Sequence, residues 1–313
     1  MRHVLVLDAN TDEYRELFAG YQSANIEFSY SNNPLTEVQC DYLLARPDYA
    51  AQYLKGKGQD NVPCWIQSCW AGVESLVTQL SYYPTTKLTG LKGFFGPLIA
   101  EYTFNYLLED QRRSSRFKEQ QLNKLWKDDP RPLGTLGGKT IAILGTGSIG
   151  RHVAKIAKAF NMNVTGLSRR EKIFLENFDL LSLNVDEVVK EADYILACLP
   201  DTTSTKNLIC KKTFNAMKKT STIINVGRGA SVNIPDLLNA LRSGQISKAI
   251  LDVFPNEPLL PDDPLWQEPN LLITPHIAAI SAPSNVAVTF LENLKHIEAG
   301  ENLSNIVDIK QGY

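Results

Sequence analysis

Apolar positions fall into short runs separated by amphipathic stretches, and the runs come in two series. In the first, Val4–Asp8, Glu27–Tyr30 and Asp41–Ala45 read as strands, with helix-like segments at Asp12–Tyr21 and Gly72–Ser81. That alternation predicts an α/β region reaching to about Gly96. The second series is longer: Thr140–Leu144, Asn163–Leu167, Asp193–Pro200, Ser221–Val226, Lys248–Phe254 and Leu271–His276. Most of these runs are apolar throughout rather than at every second position, as expected for strands covered on both faces of a parallel sheet. Helical segments are predicted between them at Ser148–Phe160, Val185–Glu191, Thr213–Met217 and Ile234–Ser243. Strand and helix in strict alternation require right-handed crossovers and so a doubly wound sheet.

Two breaks organise the chain. Gly96-Pro97 stands before a long helix expected from about Ile99, and Ala282-Pro283-Ser284 stands before a helical stretch ending near Glu298. The chain therefore crosses between domains twice, and its last helix returns to the first domain. The predicted domains are residues 1–98 with 284–313, and residues 99–283. A cleft between domains is the default ligand site in such an arrangement.

Composition narrows the functional classes. Formal charge is −2, from 32 basic and 34 acidic residues, so no general field attracts a polyanion and nucleic acid is not an expected partner. The basic stretch from Gln111 to Lys127 is interleaved with Glu119 and amides, as on a solvated helix face. Five cysteines show no CxxC spacing and no histidine arrangement suited to zinc, so no metal is expected and a reducing compartment fits. The apolar run near Met1 is cut short by Asp8, and no stretch approaches the ~18 residues of a membrane span, which leads to the expectation of a cytoplasmic protein with no membrane partner.

The first chemical signal is Gly145-Thr146-Gly147-Ser148-Ile149-Gly150, which follows a predicted strand and opens a predicted helix. In that context a GxGxxG sequence allows a tight turn, brings backbone N–H groups to a pyrophosphate and packs helix closely on strand. At the end of the next strand an NAD site normally carries an acidic residue for the ribose hydroxyls. Here the chain reads Leu167-Ser168-Arg169-Arg170, with no carboxylate before Glu171. A guanidinium pair beside a hydroxyl suits a 2′-phosphate through charge-assisted contacts, so NADP(H) is the expected preference with NAD(H) possible. The alternative is a pair of exposed arginines at a strand end.

Taken together, EYTFNYLL, LGTGSIG, CLPDTTSTKNLI, INVGRGA, LDVFPNEPL and TPHIAA, spread from about Glu101 to Asn293, resemble the D-isomer-specific 2-hydroxyacid dehydrogenases, and among them the glyoxylate/hydroxypyruvate reductase branch. The resemblance implies a Rossmann nucleotide-binding domain inserted into a flavodoxin-like substrate domain, both doubly wound parallel-sheet α/β units. It also implies a homodimer built largely through the nucleotide domain, and a small 2-keto or 2-hydroxy acid as ligand. Leu199, Pro200, Val226, Gly227 and Ala278 fall at cofactor-binding positions of the family, as does Asp252, at the position that holds the nicotinamide carboxamide. Asp252 can also be read as an ordinary strand-end aspartate.

Arg228 follows the apolar run Ser221–Val226, where strand ends face a ligand in open α/β sheets. A 2-keto acid offers a carboxylate and a neighbouring carbonyl oxygen, and a guanidinium fork can address both. A structural salt bridge is the plain alternative. His276, one of four histidines, also follows a strand. An imidazolium there can protonate the oxygen that gains charge when hydride reaches the carbonyl carbon. Glu257 matches the family's carboxylate partner of that histidine, which would fix the tautomer and raise the histidine pKa.

In the first domain, Gly72 and Val73 match a glycine-rich loop whose backbone N–H groups receive the substrate carboxylate. Trp70 departs from the family, which usually has a small residue there; it either lines the pocket or belongs to the core. Arg46 occupies a loop that faces the substrate in relatives, and reads equally as an exposed arginine. Formate dehydrogenases of this fold do without the Glu–His pair, which Glu257 argues against. A dinucleotide-sensing corepressor is the rival from another class, since fold does not establish activity.

Overall fold

The computed structural model describes residues 1–21, 23, 25–128, 132–170 and 174–309, and its contacts divide the chain into two units, Met1–Phe94 with Ser281–Tyr313, and Phe95–Ile280.

The first unit is built on five parallel strands, β1 (Arg2–Leu7), β2 (Ile26–Ser31), β3 (Tyr42–Ala45), β4 (Trp65–Ser68) and β5 (Lys87–Thr89), in the order β2-β1-β3-β4-β5. This is the flavodoxin-like order. Leu5, Leu7, Leu43, Ala45 and Ile66 pack under Leu54, Leu76 and Leu80 of the flanking helices. The returning helix Pro283–Glu298 belongs to this unit because of its aromatic residue. Phe290 is fully buried, stacks on Trp65 with ring centroids 4.9 Å apart, and touches Phe18 and Phe28. Burying one such ring contributes about 2 kcal/mol.

The second unit holds seven parallel strands: β6 (Thr140–Leu144), β7 (Asn163–Leu167), β8 (Leu180–Ser182), β9 (Tyr194–Ala197), β10 (Thr222–Asn225), β11 (Lys248–Leu251) and β12 (Leu271–Ile273). Their order is β12-β11-β10-β9-β6-β7-β8, the Rossmann arrangement extended by one strand. The uniformly apolar strands follow from burial on both faces. Ala142 and Leu144 enter one core while Ile141 and Ile143 enter the other, and Ile195 and Leu196 divide in the same way.

The helix Phe95–Arg112 starts earlier than the sequence suggests, because Gly96-Pro97 lies inside its first turn rather than ahead of it. Proline is tolerated there, where its missing N–H would have no helical partner. Gly96 also lets this helix pack tightly, since a Cβ would sit 2.8 Å from His152 Cβ on the helix Ser148–Ala159. The basic stretch forms the helix Ser114–Leu122, which buries none of its residues. Among the described residues no helix is long and apolar enough to cross a membrane.

Candidate active site

The sheet order of the second unit changes direction at the β6–β9 boundary, the place where open α/β sheets bind ligands. Gly145, straight after β6, has φ +114°, and a Cβ on it would lie 2.7 Å from the Cys198 carbonyl oxygen beyond β9. A Cβ on Gly150 would overlap the Gly145 carbonyl oxygen. These two glycines fold the turn onto itself. Gly147, by contrast, has open space where its side chain would be, and it starts the helix Ser148–Ala159 without a side-chain cap. An uncapped helix start, approachable at its backbone, fits a dinucleotide pyrophosphate.

At the end of β7 the Ser168 hydroxyl is buried, donating to the Arg170 carbonyl (2.9 Å) and accepting from the Arg170 N–H (3.1 Å). Ser168 thus shapes the turn that carries the exposed side chains of Arg169 and Arg170. Glu171 lies outside the described residues. Leu199 and Pro200 follow β9, where Gly227 packs so closely that a Cβ would fall 2.6 Å from the Leu199 backbone.

Three neighbouring strands, β10, β11 and β12, end side by side and deliver Arg228, the Asp252–Glu257 segment and His276. The turn after β10 is set by buried Asn225, whose side chain accepts from the Gly227 N–H and donates to the Arg228 carbonyl, both at 3.1 Å. Val226 lies within this turn. The half-buried Arg228 donates from Nη1 to the Gly227 carbonyl (2.8 Å).

His276 Nδ1 lies 2.7 Å from Glu257 Oε2, and Glu257 Oε1 accepts from the Phe254 N–H at 2.8 Å. A carboxylate only accepts, so Nδ1 carries the hydrogen and Nε2 is the ring nitrogen left for other chemistry. The side chain of His276 is 52% exposed. Its pKa is raised, first by the hydrogen bond to Glu257 and then by that residue's charge, against burial and the charge of Arg228. Burial alone would push the Glu257 carboxyl up, yet the His276 and Phe254 hydrogen bonds and the charges of His276 and Arg228 outweigh it and hold it below its ordinary value. The structure therefore joins Arg228, Glu257 and His276 in one electrostatic group.

Asp252 is 1% exposed and its oxygens accept from the Thr274 hydroxyl (2.6 Å) and from the N–H groups of Ile277 (2.8 Å) and Ala278 (2.9 Å). Thr274 and Asn225 lie inside the matching motifs, but their side-chain partners come from tertiary structure, and the sequence reading did not single them out.

In the first unit, Trp70 is 39% exposed, which removes it from the core. The Arg46 guanidinium sits 4.6 Å from the Trp70 ring centroid and 4.7 Å from that of Tyr49, and makes a two-point contact with Asp48 at 3.1 and 2.8 Å. Arg46 is thus a held, stacked group rather than a loose surface cation. Gly72 is half-buried and Val73 buried, at the start of the helix Glu74–Leu80.

A Rossmann sheet with this glycine turn, and a histidine–glutamate pair at neighbouring strand ends, defines a dinucleotide-dependent oxidoreductase. Residues 104–278 match the model of the NAD-binding domain of D-isomer specific 2-hydroxyacid dehydrogenases. The chain belongs to that family, and it is an NAD(P)-dependent oxidoreductase. It is 32% identical over 255 residues to a glyoxylate/hydroxypyruvate reductase A from Serratia proteamaculans, covering 78% of this chain and 79% of the relative. A family member of known structure from Aeromonas salmonicida is 36% identical with a TM-score of 0.90, covering 98% of this chain and 99% of that one. Another, from Xanthobacter autotrophicus in complex with NADPH and MES, is 27% identical with a TM-score of 0.81, covering 100% and 99%.

Proposed function

We propose that this protein reduces a small 2-keto acid of the glyoxylate or hydroxypyruvate type to the D-2-hydroxy acid, with NADPH preferred over NADH. The observation that carries this reading is the 2.7 Å contact of His276 Nδ1 with Glu257 beside Arg228. The relatives named as glyoxylate/hydroxypyruvate reductases and the NADPH-bound neighbour support the choice of substrate and cofactor.

A nicotinamide cofactor, when bound, would supply the hydride. Arg228 orients the keto acid through its carboxylate and carbonyl oxygen and draws charge towards that oxygen. His276, protonated on both nitrogens, gives its Nε2 proton to the oxygen as charge develops there. Glu257 accepts the Nδ1–H hydrogen bond throughout and stabilises the charged ring. In the oxidation direction neutral His276 takes the hydroxyl proton at the same nitrogen.

Arg169 and Arg170 would hold the 2′-phosphate on a turn shaped by Ser168, and the Gly145–Gly150 turn would receive the pyrophosphate. Leu199, Pro200, Val226, Gly227, Asp252 and Ala278 complete the cofactor site, in keeping with the family positions. Gly72 and Val73 offer backbone N–H groups to the substrate carboxylate, and Trp70 with Arg46 shapes the pocket. The functional domains are residues 1–98 with 284–313 for substrate and 99–283 for the nucleotide, and the assembly is a cytoplasmic homodimer.

Initial rates on glyoxylate, hydroxypyruvate, pyruvate and phenylpyruvate, each with NADPH and NADH, test the reading. The expected result is fastest turnover of glyoxylate or hydroxypyruvate with NADPH, and near-complete loss in His276→Ala with cofactor affinity retained. Preference for phenylpyruvate, or an active His276→Ala, would overturn it.

A further inference from the structure

Tyr102 lies on the helix Phe95–Arg112 and has no role in the chemistry described so far. Its hydroxyl is 2.6 Å from Thr274 Oγ1, which is itself 2.6 Å from Asp252 Oδ1. Counting protons gives the chain a direction. Asp252 receives hydrogen bonds from the N–H groups of Ile277 and Ala278 and acts as an acceptor. Thr274 therefore spends its one proton on Asp252 and can meet Tyr102 only as an acceptor, so Tyr102 donates.

The segment held at the end of this chain is the one that carries His276. His276 has φ +55°, a left-handed backbone that is strained for a non-glycine residue and persists only where surrounding contacts impose it. Asp252 imposes it from both sides. Its backbone carbonyl accepts the His276 N–H at 2.9 Å, while its carboxylate takes the next two N–H groups and the hydroxyl of Thr274. The imidazole is half-exposed. Its aim depends on this backbone and on Glu257. Tyr102 is in turn anchored on its own helix, edge-on to Tyr106 with centroids 4.9 Å apart.

We propose that Tyr102 is a positioning residue: by donating through Thr274 to Asp252, it fixes the left-handed turn at His276 and hence the alignment of the imidazole with Glu257. The inference rests on His276 being the acid–base group. Glu257, Arg228 and Asp252 are the charged groups facing that ring. A turn freed to move weakens the Glu257 hydrogen bond, the largest influence raising the His276 pKa.

Tyr102→Phe removes one oxygen atom and is the test. NMR titration of the His276 ring in the ligand-free protein, assigned by its loss in His276→Ala, is expected to show a lower pKa in Tyr102→Phe than in wild type. The expected fall in kcat is about tenfold, a fraction of the roughly hundredfold that a 1 Å misplacement can cost. Thr274→Ser keeps the hydroxyl and should behave as wild type. Thr274→Val should match Tyr102→Phe or exceed it, and adding Tyr102→Phe to it should cause no further loss. Should Thr274→Val fail to fold, Tyr102→Phe and Thr274→Ser decide the matter alone. An unmoved His276 titration with wild-type kcat in Tyr102→Phe overturns the proposal, as do additive losses in the double variant. If His276→Ala is inactive while Tyr102→Phe is unaffected, only the positioning role falls; an active His276→Ala removes the acid–base reading beneath it.

Discussion

Gly229 lies flat against the backbone of Phe254, so close that a Cβ on Gly229 would overlap the Phe254 carbonyl carbon. Arg228 precedes the one residue, and the N–H of the other donates to Glu257. The contact therefore sets the spacing between the arginine turn and the glutamate turn. Gly229→Ala is expected to force the two apart, costing about 1–3 kcal/mol of stability, the usual range for overpacking, and at least tenfold in kcat. Thermal melts and initial rates check this; a variant as stable and active as wild type would show that the spacing is not critical.

The exposed pair Arg169 and Arg170 stands where an NAD site carries an acid. Replacing both with alanine should weaken NADPH by about tenfold or more, since a hydrogen bond to a charged group contributes roughly 1.5–3 kcal/mol. NADH binding should change little. Cofactor titrations by fluorescence measure both constants, and equal losses for the two cofactors would contradict the assignment.

Arg228→Lys keeps the charge but not the planar fork. The expected loss in kcat/KM is about 2–4 kcal/mol of transition-state stabilisation, by comparison with removed oxyanion donors. The melting temperature should stay near wild type, because lysine keeps the positive charge and the aliphatic stem of the half-buried side chain. Near wild-type turnover would mean that Arg228 does not touch the reacting carbonyl.

The doubly wound second unit was readable in the sequence because its central strands β6, β9, β10 and β11 are buried on both faces and so are mostly apolar. β4 was not, because half of it is polar yet buried. Gln67 and Ser68 are fully buried, and the Gln67 side chain is satisfied by Thr89 on β5 and by Asn293 on the returning helix. No local pattern announces partners 22 and 226 residues away. β8 escaped for a different reason, being three residues long with Leu180 exposed.

The candidate site divides along the same line. Arg228, His276 and the glycine turn were legible because each is a chemically distinctive group beside a strand end, and Glu257 was legible only through the family resemblance of its motif. The left-handed backbone of His276 and its support from Asp252, Thr274 and Tyr102 were not, since they depend on contacts between strand ends and a helix far apart in sequence. The stacking of Arg46 on Trp70 likewise needed the register of β3 beside β4.

The pairing of His276 with Glu257 is the central claim, and the pH dependence of reduction tests it most directly. Reduction needs the imidazolium, so wild-type turnover should fall as pH rises through the His276 pKa, which Glu257 raises. Glu257→Gln removes the charge and weakens the hydrogen bond, while burial and Arg228 continue to lower that pKa. The basic limb should therefore move to lower pH in the variant, and oxidation, which needs neutral imidazole, should become relatively easier at acidic pH. The measurement is turnover against pH in both directions, at saturating cofactor, with a deuteride isotope effect showing that chemistry limits the rate. A basic limb displaced to lower pH in Glu257→Gln is the predicted result; a limb that stays where the wild type has it would contradict the pairing.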